Sequence, residues 1–177
     1  MAGHSSPNVL NYYIGKGKLS FKKDGAMSFR DLGNVPEFEF TPEIEKLEHF
    51  SSREGVRTKD RTVVLEKKAT VKITMEEWST ANLALALLGD VDTDSDGREV
   101  IDIFSQNAIS GELKFHSTNE VGPRYEWHLL KVDFIPGDSI SAISDEWGQL
   151  VITGDVAAVG GTFGTVTNIG EEDSESE

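Results

Sequence analysis

The sequence predicts a mainly β fold, a β-sandwich or partial barrel with one flanking α-helix, and three observations carry that prediction. Alternating polar and apolar segments recur along the chain, and turn signals at Gly33-Asn34, Gly122-Pro123, Pro136-Gly137-Asp138 and Trp147-Gly148 separate them. Only one segment has the apolar period of a helix. The 177 residues suffice for one domain with its own core. That domain is expected over residues 1–170, with an N-terminal arm over 1–11 and a disordered acidic tail over 171–177.

Taken in order, a first strand is predicted over Tyr13–Lys22 and a second over Ala26–Leu32, joined at Lys23-Asp24-Gly25 as a hairpin. Glu37-Phe38-Glu39-Phe40-Thr41 alternates and pairs naturally with the next extended run, Arg61–Met75. In that run Val63, Leu65, Ala69, Val71, Ile73 and Met75 share a face interrupted only by Lys67. At about 3.3 Å per residue it spans roughly 45–50 Å, far beyond an ordinary strand, so part of it is expected to project past its own domain and need a neighbour.

Between the two runs lies Glu43–Asp60, which has no strand period and no tight-turn signal. It is expected to be a long inter-strand loop, and loops of this length in compact domains are usually functional or disordered. It carries Ile44, Leu47, Phe50 and Val56 among its charges. Two readings fit: a short helix over Ile44–Phe50 packing on its own domain, or a segment that orders on assembly.

Thr74 with Glu77 three residues on resembles a helix cap. Trp78, Ala81, Leu85 and Leu88 make one stripe before Gly89 closes the helix. Further strands are predicted over Glu99–Gln106, Gly111–His116, Arg124–Phe134, Ser139–Ser144 and Gln149–Val156. The Gly- and Thr-rich segment after Val156 is read as a terminal strand or arm.

Composition excludes several classes. There is no cysteine, hence no disulfide, thiolate metal site or cysteine nucleophile. The longest apolar run, Leu83–Leu88, is too short to cross a bilayer, and the N-terminus lacks the basic and apolar regions of a signal peptide, so no membrane anchor is expected. The formal charge of -14 opposes tight binding to phosphate backbones; removing Glu171, Glu172, Asp173, Glu175 and Glu177 still leaves -9 on the body.

No constellation assembles an active site. Asp92-Thr93-Asp94-Ser95-Asp96-Gly97 matches the opening of a calcium loop, but Ile103 stands where a bidentate Glu is required. Gly15-Lys16-Gly17-Lys18 is no phosphate loop, since Tyr12 and Leu19 replace its Gly and Ser/Thr. His4, His49, His116 and His128 are scattered, and only His116 and His128 can meet across neighbouring strands. Trp78, Trp127 and Trp147 are expected as core or interface anchors. Neither a catalytic residue, a metal ligand nor a cofactor is assigned.

LNYYIGKGKLSFKK at the start, DLGNVPEFEFTPEIEKLEHFSSREGVRTKDRTVVLEKKATVKITMEEW in the middle and the helix STANLALALLG together resemble the major tail tube proteins of long-tailed (siphovirus-like) bacteriophages. The resemblance covers the first half of the chain well and the second only by pattern. It implies a structural virion protein whose hexameric rings stack into the tube that conducts genomic DNA during ejection, with inner sheets joining into a ring barrel. It further implies partners such as the tape measure and terminator proteins, transient DNA passage without specific binding, and a location in the virion tail after synthesis in the host cytoplasm. On this basis Ile44, Leu47, Phe50, Arg53 and Val56 are expected at the inter-ring contact and Glu37 and Glu39 on the lumen, while Lys68 and Lys72 are expected to pair with acidic groups across subunits. The alternatives are a calcium-stiffened β-sandwich binding or adhesion module, or a related tube protein of a contractile injection or secretion system.

Overall fold

The structure, a computed structural model, describes residues 7–53 and 55–170; the acidic tail and the first six residues of the N-terminal arm lie outside them. Among the described residues the fold is mainly β with one α-helix, as the alternation predicts. Its strands are β1 (Gly17–Lys23), β2 (Arg30–Asp31), β3 (Glu37–Ser51), β4 (Thr58–Met75), β5 (Asp90–Thr93), β6 (Glu99–Asp102), β7 (Ile109–Ser117), β8 (Tyr125–Pro136), β9 (Leu150–Val156) and β10 (Gly164–Asn168), and the helix is α1 (Thr80–Ala86). The main sheet is antiparallel in the order β2-β1-β7-β8-β9-β4-β3, with β10 added on β8; β5 and β6 form a separate hairpin.

The sheet curls because β8 changes partners along its length. Its first half pairs with β10 (Thr165 opposite His128) and its second half with β9 (Phe134 opposite Gly154). The β7–β8 register shifts between these halves, at the point where Leu130 N–H donates to the Phe163 carbonyl and Ala157 N–H to the Lys131 carbonyl. An extra residue there bends the strand and strengthens its twist. The base of β3 thereby comes to lie across β7 and β8: Phe38 meets Phe115 at 5.7 Å between ring centroids, and Phe40 meets Trp127 at 5.5 Å.

Inside lie Leu19, Phe21, Val71, Ile73, Met75, Leu113, Leu129, Val132, Phe134, Leu150 and Ile152, all buried, with Leu85, Ala86 and Leu88 around α1 closing one end. Phe21 and Phe134 pack edge to face at 5.2 Å, a geometry favoured by the ring quadrupoles. At about 25 cal/mol per Å² of apolar surface removed from water, this cluster is the dominant stabilising term.

Several local expectations are corrected. The helix is capped by Ser79, whose hydroxyl accepts from Asn82 N–H at 3.2 Å, and not by Thr74. Thr74 belongs to β4, opposite Glu37, and its hydroxyl donates to the Glu37 carboxylate at 3.1 Å; strand pairing outcompetes the cap, and Trp78 falls before the helix. Ser139–Ser144 forms no strand, because β9, into which it leads, already has β8 and β4 on its two edges. Conversely, Asp90–Thr93 is a strand despite its aspartates, held by pairing with β6. The hairpin turn after β1 is as expected: Gly25 has φ 86°, which suits glycine, and Ala26 N–H closes onto the Lys23 carbonyl.

Candidate functional site: a projecting two-stranded arm

The largest correction concerns Glu43–Asp60. No long loop is present: β3 runs on to Ser51 and β4 begins at Thr58, so the chain turns within residues 52–57. Pairing is continuous from Glu37–Thr74 to Ser51–Thr58, interrupted by register shifts opposite Glu45/Lys46 and His49/Phe50. At each shift the extra residue is on β4, first Leu65 and then Asp60.

Only the base of this ribbon belongs to the body. β9 pairs with β4 from Thr70 to Met75, and the burial of β4 starts at Ala69; every residue of β4 from Thr58 to Lys68 is exposed. Eleven residues at about 3.3 Å each give an arm of roughly 35 Å. The projection expected from the length of the run is therefore present.

Residues paired across an antiparallel ladder share a face, so the register sorts the arm into two surfaces. Continuing the core face of Phe38, Phe40, Val71 and Ile73 are Ile44 opposite Lys67, Lys46 opposite Val64 and Phe50 opposite Lys59. The reverse face carries Glu37, Glu39, Glu43, Glu45 and Leu47 on β3, facing Thr74, Lys72, Lys68, Glu66 and Val63 on β4. One face is basic with apolar residues; the other is predominantly acidic.

The expected inter-ring residues all lie on this arm or at its tip. Ile44, Leu47 and Phe50 are exposed, Val56 is 78% exposed, and Arg53 sits at the tip. Ile44 and Phe50 share the basic face, whereas Leu47 lies on the acidic one. The register adds Val63, Val64 and Leu65, also exposed. By simple alternation Val63 and Leu65 share a face with Ala69; the extra residue at Leu65 breaks that phase, and neither packs on the body. Arg57 sits over the Phe50 ring at 5.7 Å, Lys59 pairs with Glu48, and His49 Nδ1 lies 2.6 Å from Asp60, so the tip is stiffened from both strands.

Glu37 and Glu39 are at the base of the acidic face, half exposed, and both reach Lys72, at 3.2 and 3.8 Å. Lys68 pairs with Glu66 at 3.1 Å, and that hydrogen-bonded carboxylate raises its pKa. The two lysines expected to bridge subunits thus have partners on their own ribbon.

The other candidate constellations resolve into structural roles. Asp94 accepts from the backbone N–H groups of Asp96 and Arg98, both at 2.9 Å, and Arg98 Nε donates to its other oxygen at 2.9 Å; the Arg98 backbone hydrogen bond leads in holding the carboxyl below its usual range. Arg98 also reaches Asp96 at 2.7 Å, placing a guanidinium among the carboxylates that a cation would need. Among the described residues no group of three or more His, Asp or Glu side chains is arranged for a metal. His116 lies 3.3 Å from Glu126, and His128 2.8 Å from Glu112, which Lys22 approaches at 2.5 Å. Trp127 packs on Phe40, while Trp78 and Trp147 are exposed. No helix among the described residues is long and apolar enough to cross a membrane.

A family model described as "Protein of unknown function UCP028589" matches residues 12–98, from the approach to β1 through the arm and α1 to the β5–β6 turn. No curated protein matches the chain.

Proposed function

We propose that this chain is a structural subunit without catalytic chemistry, whose copies form rings that stack into a tube. The observation that carries this reading is the arm. A two-stranded ribbon alone is at best marginally stable in water and normally needs a third strand or a packing surface, yet this one extends about 35 Å with Ile44, Leu47, Phe50, Val56, Val63, Val64 and Leu65 exposed along it. Apolar surface so arranged marks an interaction site. The outer edge of β3 is likewise unpaired over its whole length, and closing such edges against neighbouring copies into a barrel removes a template for uncontrolled aggregation.

The need for neighbours comes from the arm, whereas the hexamer, the tube and the cargo come from the resemblance to tail tube proteins of long-tailed phages. In this proposal the arm reaches the adjacent ring, with Ile44, Leu47, Phe50, Arg53 and Val56 at the contact, and the acidic face bearing Glu37 and Glu39 turns toward the lumen. A like-charged wall keeps passing DNA from adhering. The subunit's partners would be further copies of itself together with tape measure and terminator proteins, and its place the virion tail.

Electron microscopy and sedimentation of the purified chain over a wide range of concentration and salt provide the test. Rings or stacked discs are expected. A monodisperse monomer under every condition would refute the proposal.

A further inference from the structure

The two ends of the molecule differ in charge and shape. β4 runs from the arm tip toward Met75, which pairs with Leu150 at the start of β9; the segment 137–149 immediately before Leu150 therefore sits at the end opposite the arm. Gly148 lies beside Trp78, and Gln149 reaches Glu76 at 3.4 Å, both just past the end of β4. This segment has no regular structure; of its three large apolar side chains Ile140 packs against the core, while Ile143, 97% exposed, and Trp147, 93% exposed, are presented to solvent. Its charges are Asp138, Asp145 and Glu146, with no Lys or Arg.

The arm tip is the complement. Phe50 and Val56 are exposed there, and the tip sequence carries Arg53, Arg57 and Lys59 against the single acidic residue of 52–57, Glu54; neither Arg53 nor Arg57 makes an ion pair among the described residues. An exposed tryptophan within a rim of charge is the composition of an interface anchor. The β5–β6 hairpin lies at the same end and is also acidic; Asp90 is engaged by Lys23, and Asp94 and Asp96 by Arg98, while Asp92, Glu99 and Asp102 have no ion pair among the described residues, but the hairpin carries no tryptophan. The carboxylates of Asp145 and Glu146 have no cationic partner among the described residues.

We infer that the arm tip of one copy docks on the segment 137–149 of a second copy, Phe50 and Val56 packing against Trp147 and Ile143, and Arg53 and Arg57 facing Asp145 and Glu146. The inference rests on the stacking proposal and adds the receptor. Because donor and receptor are different surfaces at opposite ends, the contact is heterologous and propagates along an axis. Its charge pairing makes docking weaken with salt and fixes the direction of stacking.

Reciprocal charge reversal is the test. Arg53→Glu with Arg57→Glu, or Asp145→Lys with Glu146→Lys, are each expected to raise the concentration needed for assembly about tenfold or more, and the two pairs combined in one chain to restore it. Circular dichroism checks that every variant folds. As an independent readout in this cysteine-free chain, Ser52→Cys mixed with Ser141→Cys under oxidation is expected to give mixed disulfide dimers well above the level of either alone. Loop-reversed protein that assembles like wild type, a combined variant that stays unassembled, or the absence of mixed dimers overturns the receptor assignment while leaving stacking intact. Wild-type protein that never assembles overturns both.

Discussion

On the proposed function, removing the arm should separate assembly from folding. The register supplies the cut: Glu43 is opposite Lys68, so excising residues 44–67 and joining those two through Asn-Gly makes a two-residue hairpin of the favoured type I′ geometry. Apart from the half-buried Ser51, every described residue of the excised segment is exposed, and β4 retains its whole pairing with β9 from Thr70 to Met75. The buried cluster keeps all its members, the nearest being Ala69 and Val71. With no apolar burial lost, the change in stability should stay within about 1 kcal/mol, or roughly 2–4 °C in Tm for a chain of this size. The shortened subunit should therefore melt cooperatively near the wild-type temperature by scanning fluorimetry, yet sediment as a single small species where wild type forms larger particles. Normal assembly without the arm would refute the argument outright. A fall in Tm of more than about 10 °C would show instead that the arm stabilises its own domain, contrary to its exposure.

Three further outcomes follow from the body. Ile73→Ala, at a fully buried position on β4, should cost about 2–5 kcal/mol, read as a drop in midpoint on chemical denaturation with unchanged slope. Asn82 is a buried hub: its amide donates to the carbonyls of Leu32 at 2.9 Å and Glu77 at 3.0 Å, and its oxygen accepts from Arg30 Nη1 at 2.6 Å. Asn82→Ala should therefore cost about 1–3 kcal/mol, and more than Asn82→Asp if the Arg30 contact dominates. Glu112 has its pKa lowered, first by the hydrogen bond from Lys22 and then by that from His128. A folded-state value below the unfolded 4.5 contributes stability that is whole above that pH and is lost as pH falls through the depressed value. Glu112→Gln should flatten the fall of Tm with pH in that acid window and leave its slope near neutrality unchanged.

What the sequence revealed and concealed follows one physical rule. Where a strand has one face in the core, its phase is visible: Ala69, Val71, Ile73 and Met75 alternate, and all four are buried. Register is strongly specified only under that constraint. In the arm both faces meet solvent in the single copy, and nothing holds the apolar residues to one phase. Ile44, Leu47 and Phe50 recur every third residue and so suggest a helix or a loop, although β3 passes through them as a strand. The extra residues Leu65 and Asp60 on β4 erase the alternation of its partner as well. The apolar side chains of the charged segment were visible in composition; their exposure along a ribbon and their placement on two opposed faces were not. Trp147, beside Gly148, was expected in the core or at an interface; only the structure shows that it is exposed and puts it at the end opposite the arm.

The division of charge across the ribbon bears on how one strand pair can serve two purposes. Lys46, Lys59 and Lys67 on the core-side face and Glu37, Glu39, Glu43, Glu45 and Glu66 on the reverse are separated by no more than the thickness of a sheet. On the acidic face Lys72 and Lys68 are already paired locally and blunt repulsion between neighbouring glutamates, so that Arg61, opposite His49 near the tip, is the one cation of that face without an ion pair among the described residues. The basic face has no such self-sufficiency: apart from Lys59 with Glu48, its lysines have no ion pair among the described residues. A surface that is both apolar and uncompensated in positive charge gains from an acidic, apolar partner, whereas one with a net negative charge repels such a partner and a polyanion alike. If the chain forms a tube, this asymmetry orients the arm, its uncompensated face against the next subunit and its paired acidic face toward whatever moves past. Reversing Lys46 and Lys67 to glutamate should accordingly impair assembly, while neutralising Glu43 and Glu45 should spare it and increase retention of DNA by assembled particles. Equal assembly defects from both pairs would mean that the two faces do not differ in role.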